Sequence, residues 1–393
     1  MAGALGGVRV ADFSRVLAGP YATMLLGDLG ADVVKVERPG EGDETRAWGP
    51  PYDEDGVATY FLGLNRNKRS VALDLSTPDG LMAALELGRG ADVLVENFKP
   101  GTMERLGLGY ADLRRTNRGI VYCSITGFGA EAGRDLPGYD LVVQAVGGLM
   151  SVTGPSEGRP TKVGVALVDV IAGLHAAVGI LAALRHRDRT GKGQRIQISL
   201  LGSLLSGLVN QASGYVAAGV VPGILGNAHP SIAPYEAYDV ADGKLVLAVG
   251  NDRQFADACE VLGLPKLPGD RRFRTNADRV KNRKKLNQLL APALKKRTRD
   301  QWFGLMREAG VPCGPINDLA GAFAFADALG LAPTVDVVDA RREAPARQVR
   351  SPLRMSATPP SYRLAPPALD EDGADILEEL GLPPRPSEAG SPE

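Results

Sequence analysis

The sequence predicts an α/β protein with two domains, one built on a large open parallel sheet and a smaller one of α+β type. The chain has 393 residues, a length that favours two domains over one. Over the first hundred residues, short apolar runs alternate with single helical patterns, which is typical of parallel strands joined by right-handed crossovers. Past Gly219 the pattern changes to two apolar runs on either side of a tight turn at 241–243, which indicates an antiparallel hairpin.

The elements of the large domain follow one another in a regular order, and Pro39 ends the second strand. The strands are expected at 8–13, 32–39, 70–75, 91–98, 119–129 and 195–199, with helices at 21–31, 80–90, 110–117 and 170–187. This alternation describes a Rossmann-like domain. The predicted boundaries are 1–200 for the large domain, 201–224 for a helical linker, 225–325 for the small domain, and 326–393 for a linker that returns to the large domain.

Composition excludes several classes of protein. The formal net charge is −1 and aromatic residues make up 5 %, so nothing favours binding to nucleic acid or to an anionic membrane. The three cysteines and three histidines do not cluster, and neither a metal site nor a disulfide framework is expected. No phosphate-binding glycine motif of a nucleotide enzyme occurs. The N-terminus does not resemble a targeting segment, so a cytoplasmic location is expected.

One carboxylate, Asp169, lies inside the apolar run VGVALVDVIAGLHAAVGILAAL, residues 163–184. Burying an ionised carboxylate costs on the order of several kcal/mol unless the charge is paired or takes part in function. One interpretation is that Asp169 caps a helix that begins at about residue 170. The other is that it is a nucleophile or base in a partly dry pocket. The segment alone leaves both open.

Several long stretches resemble a known family, the family III CoA-transferases. They are VADFSRVLAGPYATMLLGDLGADVVKVERPGEGDETR, LNRNKRSVALDL, ADVLVENFKPGTMERLGLGY, GYDLVVQAVGGLMSVTG and VDVIAGLHAAVGILAALRHRDRTGKGQ. The family includes formyl-CoA transferases, carnitine-related CoA-transferases and α-methylacyl-CoA racemases. The five blocks occur in the family's order and are densest over residues 7–255.

The resemblance implies that Asp169 is the catalytic aspartate. Its carboxylate would form an anhydride with the acyl group of a CoA thioester, and then an aspartyl-CoA thioester. A poorly solvated carboxylate is more nucleophilic, and an anhydride survives only where water is excluded. The resemblance also implies an interlocked homodimer, a CoA thioester as substrate, and no metal or redox cofactor.

Further residues carry over from the family by position. Those expected to bind CoA are Val16, Leu17, Ala18, Arg38, Leu73, Asp74, Leu75, Asn97, Phe98, Arg105 and Tyr139. The family's mobile glycine-rich loop corresponds to GILGNAHPSIAPY, residues 223–235, where Asn227 and His229 are candidate substrate residues. A cation for the distal carboxylate of a dicarboxylate is expected at Arg46, with Arg15 and Arg66 as further candidates.

The stretches SRVLAGPYATM, GDETRAWGPP and AHPSIAPY look most like the relatives that transfer CoA between short dicarboxylic acids. Succinyl-CoA as donor and a short dicarboxylate as acceptor are therefore expected. The alternative is an acyl-CoA isomerase of the α-methylacyl-CoA racemase type. Tyr139 stands where that branch has a histidine, and a phenol with a pKa of about 10 is a poor second base.

Overall fold

The computed structural model describes residues 3–54 and 56–383, which form two compact units. The first unit contains the described residues up to 147, residues 163–218 and the residues from 332 onward. The second contains residues 148–162 and 219–331. The sequence analysis placed 148–162 in the large domain and 201–218 in a linker, whereas here they belong to the second and the first unit, respectively.

A six-stranded, wholly parallel sheet forms the centre of the first unit, in the order β3-β2-β1-β4-β5-β6. Its strands are β1 (Arg9–Asp12), β2 (Asp32–Glu37), β3 (Lys68–Ala72), β4 (Val93–Glu96), β5 (Val121–Thr126) and β6 (Arg195–Ser199). The predicted α/β class with a large open parallel sheet is thus confirmed. Val93, Leu94 and Val95 are fully buried, as expected of parallel strands covered on both faces.

Helices cover this sheet. They are α1 (Ala18–Asp28), α2 (Thr59–Leu62), α3 (Pro78–Gly90), α4 (Thr102–Arg105), α5 (Tyr110–Thr116), α6 (Asp140–Val146), α8 (Leu167–Thr190), α9 (Leu200–Gly207), α10 (Val209–Ala218) and α16 (Gly373–Glu379), with a 3₁₀ turn at Glu44–Ala47. Local signals explain several of these bounds: Thr77 caps α3 through the Gly80 amide, and Pro78 takes its first position. A small antiparallel pair, β10 (Thr334–Val337) and β11 (Ala346–Val349), completes the unit.

Helix α8 is the long apolar helix that contains Asp169. Within the described residues it alone is long and apolar enough to cross a membrane. One side of it packs against α1 and against β5 and β6, while Leu174, Val178 and Leu181 are exposed. Gly191, with φ of 69°, ends it in the left-handed conformation that glycine adopts without strain.

The second unit has its own antiparallel sheet and core. Strands β7 (Tyr235–Val240), β8 (Gly243–Ala248) and β9 (Cys313–Pro315) pair in that order. The helices are α7 (Leu149–Val152), α11 (Asp252–Val261), α12 (Asn276–Lys281), α13 (Arg283–Leu294), α14 (Arg299–Glu308) and α15 (Leu319–Ala328). Phe255, Leu286 and Trp302 lie in a buried apolar cluster between helices and sheet. The predicted smaller α+β unit, with its hairpin across residues 241–243, is confirmed.

Candidate active site

The strand order places a crevice at the carboxyl ends of β1 and β4. These strands are neighbours, but the chain leaves β1 for β2 on one side and β4 for β5 on the other. Open α/β sheets bind ligands at such a switch point, because the two outgoing loops diverge there. The loop after β1 contains Arg15 to Leu17, and the loop after β4 begins at Asn97.

A cavity of about 400 Å³ opens at this crevice, and Asp169 is part of its wall. The loop 126–139 forms one side of it. The predicted CoA-binding residues that line it are Val16, Leu17, Ala18, Asn97, Phe98 and Tyr139. The structure therefore brings Asp169 together with six residues that the sequence analysis took from separate segments.

Asp169 is not the cap of α8. The helix begins at Leu167, so Asp169 is its third residue, and the capping position is occupied by Ala166, whose side chain offers no acceptor. The capping interpretation was wrong. The first amides of α8 have no acceptor within the helix, and they donate instead to a residue from elsewhere in the chain.

That residue is Asp140, at the start of α6. One of its carboxylate oxygens accepts hydrogen bonds from the amides of Val168 and Asp169, at 2.8 and 3.2 Å. The other accepts from the Gln144 side chain at 2.6 Å, and Gln144 in turn accepts from the Val163 amide at 2.9 Å. Asp140 thus caps α8 and places a second negative charge beside Asp169. The sequence analysis gave Asp140 no function.

The environment of Asp169 favours its protonated form. Asp169 is only 9 % exposed to solvent. Burial first, and the charge of Asp140 second, raise the pKa of Asp169 from 3.8 to about 7. Among the described residues, no donor is hydrogen-bonded to its carboxylate oxygens. Near neutral pH the group is an ionisable carboxylate whose lone pairs are unused, which suits a nucleophile.

Close packing of α8 on α1 determines where Asp169 lies. Gly173, one turn after Asp169 on the same face of the helix, is so near α1 that a Cβ added to it would be 2.6 Å from the Ala18 carbonyl oxygen. Only glycine permits this approach. Because of it, Asp169 lies over the loop and helix start formed by Val16, Leu17 and Ala18.

Below that loop is a network of buried charges. Lys35 donates to the Asp43 carboxylate at 2.8 Å and to the Ser14 carbonyl at 3.0 Å, and both ion-paired side chains are fully buried. Burial opposes the ionisation of Asp43, but Lys35 overcomes it and lowers the pKa of Asp43 to about 2. The Asp43 carboxylate also accepts from the Val16 amide at 3.3 Å. Val16 has φ of 69°, rare for a β-branched residue, and this network holds it in that conformation.

Tyr60 is a second residue that sequence reasoning missed. Burial first, and then the negative charges of Asp169, Asp140 and Asp43, raise the pKa of its phenol to about 12. The phenol therefore stays protonated in the electrostatic field of Asp169. The ring of Trp48 packs edge-on against it, with centroids 5.4 Å apart. The only signal in the sequence was an aromatic residue in a short segment, which is too common to be informative.

A second cavity of about 670 Å³ lies at the carboxyl ends of β2 and β3. The predicted CoA-binding residues that line it are Arg38, Leu73, Asp74, Leu75 and Phe98. Phe98 lines both cavities. Arg105, in contrast, lines neither and donates to the Thr102 hydroxyl at 3.1 Å.

Arg46, the first candidate for recognising a distal carboxylate, is engaged inside the protein. It forms a bidentate ion pair with Glu37, at 2.7 and 2.8 Å, and its guanidinium lies 3.7 Å from the centre of the Phe61 ring. It lines neither cavity. Arg66 is likewise paired with buried Asp28. The expectation for Arg46 is corrected: its guanidinium is not presented to a ligand.

Asn227 and His229 belong to the second unit. The His229 ring packs on Tyr235, with centroids 5.2 Å apart, and its Nδ1 accepts from the Ser231 amide at 3.1 Å. The loop that contains them is held by Arg283, which donates to the carbonyls of His229 and Ile232. The loop is therefore fastened to helix α13 within its own unit. Over the described ranges 3–54 and 56–383, no group of three or more His, Cys, Asp or Glu could hold a metal ion.

Comparison with known proteins identifies the family. Residues 5–373 match the profile of CoA-transferase family III. The chain is 43 % identical over 382 residues to the succinate–glutarate CoA-transferase of Agrobacterium fabrum, covering 96 % of this chain and 95 % of that protein. It is 40 % identical to the succinyl-CoA:mesaconate CoA-transferase of Haloarcula hispanica, covering 97 % of both.

A solved structure is also similar over the whole chain. The CAIB/BAIF family protein from Brucella suis matches with a TM-score of 0.86 and 41 % identity, covering 97 % of this chain and all of that one. The family match and these relatives identify the protein as an enzyme of the transferase class. The chain belongs to CoA-transferase family III.

Proposed function

We propose that this enzyme moves CoA from succinyl-CoA to a short dicarboxylic acid, with Asp169 as the covalent carrier. The observation that supports this most directly is a buried carboxylate that accepts a hydrogen bond from no described residue and lies beside a cavity, in a member of this family. The relatives named above act on succinate, glutarate or mesaconate, and all three acids are dicarboxylic.

The first half of the reaction loads CoA onto the enzyme. The Asp169 carboxylate attacks the thioester carbonyl of succinyl-CoA, and the C–S bond breaks to give a succinyl-aspartyl anhydride and CoA thiolate. The thiolate then attacks the aspartyl carbonyl of that anhydride. Succinate leaves, and an aspartyl-CoA thioester remains.

The second half runs the same steps in reverse, from the aspartyl-CoA thioester through an anhydride to an acyl-CoA, with a different acid. The acceptor carboxylate attacks the aspartyl thioester, expelling CoA thiolate and forming a second mixed anhydride. The thiolate attacks the acceptor's acyl carbon, so the new acyl-CoA leaves and the Asp169 carboxylate is restored. No proton is consumed, so Asp169 needs only to be ionised at the start.

The environment of Asp169 suits this chemistry. Burial weakens solvation of the carboxylate and keeps water from the anhydrides, which water would destroy. The CoA nucleotide would occupy the larger cavity beside Arg38 and Leu73–Leu75, with the thioester in the smaller one.

The decisive experiment traps the carrier. Wild-type enzyme is incubated with succinyl-CoA alone and analysed by intact-mass and peptide mass spectrometry. A CoA adduct is expected on the peptide that contains Asp169. Addition of glutarate should discharge it with formation of glutaryl-CoA.

Two variants make this result specific. Asp169→Ala should form neither adduct nor product. Asp188→Ala removes an exposed aspartate from the same helix and should behave as wild type. Transfer that persists in Asp169→Ala would contradict the carrier. Deuterium uptake at the α-carbon of an acyl-CoA without transfer would favour an isomerase instead.

We also propose that the enzyme works as an interlocked homodimer. Leu174, Val178 and Leu181 form an exposed apolar stripe along α8, and Val209 and Val216 are exposed on α10. A stripe with this spacing normally packs against another surface. Sedimentation at micromolar concentration should give the mass of two chains, and a single-chain mass would refute the dimer.

A further inference from the structure

Three residues line both cavities, and they lie where the cavities meet: Arg15, Glu44 and Phe98. Arg15 leaves the end of β1, and Phe98 follows the end of β4. A ligand that extends from one cavity into the other has to pass these three side chains. Nothing in the proposed transfer reaction has used Arg15 or Glu44.

Arg15 is held in place from several sides. The Asn97 side chain accepts from the Arg15 amide at 2.9 Å and donates to the Arg15 carbonyl at 2.8 Å. The guanidinium lies 5.4 Å from the centre of the Phe98 ring, a distance at which cation–π attraction operates. This positioning reduces the entropy that the side chain would lose on binding a ligand.

The guanidinium of Arg15 has donors to spare. One terminal nitrogen donates to the Glu44 carboxylate. Its Nε is buried, and no described residue accepts its hydrogen. A guanidinium has five N–H donors in a planar fork. Among the described residues only one terminal nitrogen of Arg15 is hydrogen-bonded, so the edge formed by its two terminal nitrogens is available to a bidentate anion once Glu44 is displaced.

Glu44 occupies the position of such an anion. Its carboxylate pairs with Arg15, and both side chains are about two-fifths exposed. An ion pair with that exposure is worth little, at most about 1 kcal/mol by analogy with other exposed pairs. A ligand anion that engages the fork with two oxygens can therefore displace Glu44.

We propose that Arg15 is a binding and specificity residue for an anionic group of the acyl-CoA substrate, with Glu44 as an internal substitute for that group in the free enzyme. The inference rests on the proposed function, because it takes a CoA thioester to span the two cavities. The anion has two possible sources in this substrate, the pyrophosphate of CoA and the free carboxylate of the succinyl group.

The test measures dissociation constants by titration calorimetry with CoA, butyryl-CoA and succinyl-CoA. The protein carries Asp169→Asn, so that the thioesters are not turned over. Arg15→Met keeps the length of the side chain and removes the charge, and we expect binding to weaken roughly 10- to 100-fold. Glu44→Gln releases Arg15 and should tighten binding by up to about fivefold. Arg89→Met, which removes an exposed arginine paired with Glu86 on α3, is the matched control and should change nothing.

The pattern over the three ligands identifies the anion. An equal loss for all three assigns Arg15 to the pyrophosphate, and a loss for succinyl-CoA alone assigns it to the acyl carboxylate. A loss below threefold for every ligand overturns the inference. If Arg15→Met does not fold, Glu44→Gln decides, and an affinity that does not increase overturns it. A parent protein that binds no CoA at all defeats the proposed function, and this inference with it.

Discussion

The charge of Asp140 should control the pH at which the enzyme works. Asp140 is the second cause, after burial, of the raised pKa of Asp169. In Asp140→Asn, the amide oxygen can still accept from the Val168 and Asp169 amides, so the cap on α8 is retained while the charge is lost. The pKa of Asp169 should fall, because a neighbouring like charge disfavours ionisation.

The size of the effect follows from the order of the two causes. Burial remains, so we expect the pKa to fall by about one unit from about 7, which corresponds to about 1.4 kcal/mol. At pH 6, the ionised fraction of Asp169 would rise from about a tenth to about a half. Relative to its own plateau at high pH, the variant should thus be about fivefold faster at pH 6 than wild type. A less basic carboxylate is also a weaker nucleophile, so the plateau itself should be lower.

The assay is the pH dependence of kcat/KM for CoA transfer between pH 5 and 9, since this quantity reports groups of the free enzyme. The acidic limb should move to lower pH in Asp140→Asn. In Asp188→Asn it should stay in place, because Asp188 lies about 28 Å further along the helix, beyond the screening length of physiological salt. An acidic limb that does not move, or moves upward, would refute the reasoning that the Asp140 charge acts on Asp169.

Three other substitutions test separate parts of the structure. Because burial raises the pKa of Asp169 to about 7, ionisation of Asp169 destabilises the folded state. Asp169→Asn should therefore increase the free energy of unfolding by up to roughly 4 kcal/mol above pH 7. This gain should vanish near pH 4, and urea unfolding at both pH values measures it. Gly173→Val places a side chain against the Ala18 carbonyl, and should cost about 1 to 3 kcal/mol of stability and most of the transfer rate; wild-type activity would contradict the packing argument. Arg46→Ala removes the ion pair of the buried Glu37 and should lower the free energy of unfolding by about 3 to 5 kcal/mol. The KM for the acceptor acid should stay within twofold of wild type. An increase in KM without loss of stability would restore Arg46 as a substrate residue.

The sequence was sufficient for the six parallel strands of the first unit and for helices α1, α3, α5 and α8. Runs such as Val93 to Val95 are apolar on both faces, and single helices separate them, so a parallel sheet is the natural solution. The order of the strands was not predictable in this way. Every order with right-handed crossovers satisfies the same pattern, and the choice depends on packing between distant segments.

In the site too, features of a single segment could be predicted from the sequence, but contacts between distant segments could not. Asp169 could be singled out because a charge in an apolar run has few explanations. The function of Asp140 could not, because its hydrogen bonds reach amides 28 and 29 residues away. Arg46 was misassigned for a similar reason: an arginine in a polar loop looks available, and its pairing with Glu37 exists only once the loop has folded. The predicted CoA-binding residues came from the family resemblance and not from spacing.

The position of Asp169 in α8 presents a physical conflict. A carboxylate in the first turn of a helix is normally stabilised by the unpaired amides and by the helix dipole, which lowers its pKa. Here the pKa is raised to about 7, so other contributions must dominate. Burial is the first of them and the charge of Asp140 the second. The Asp140 carboxylate also takes the amides of Val168 and Asp169, which would otherwise attract a negative side chain. Asp140 therefore stabilises the helix, but the amides that it occupies no longer stabilise the ionised Asp169 side chain. No described residue donates a hydrogen bond to its carboxylate, and in the proposed mechanism this weakly stabilised carboxylate is the group that attacks the thioester.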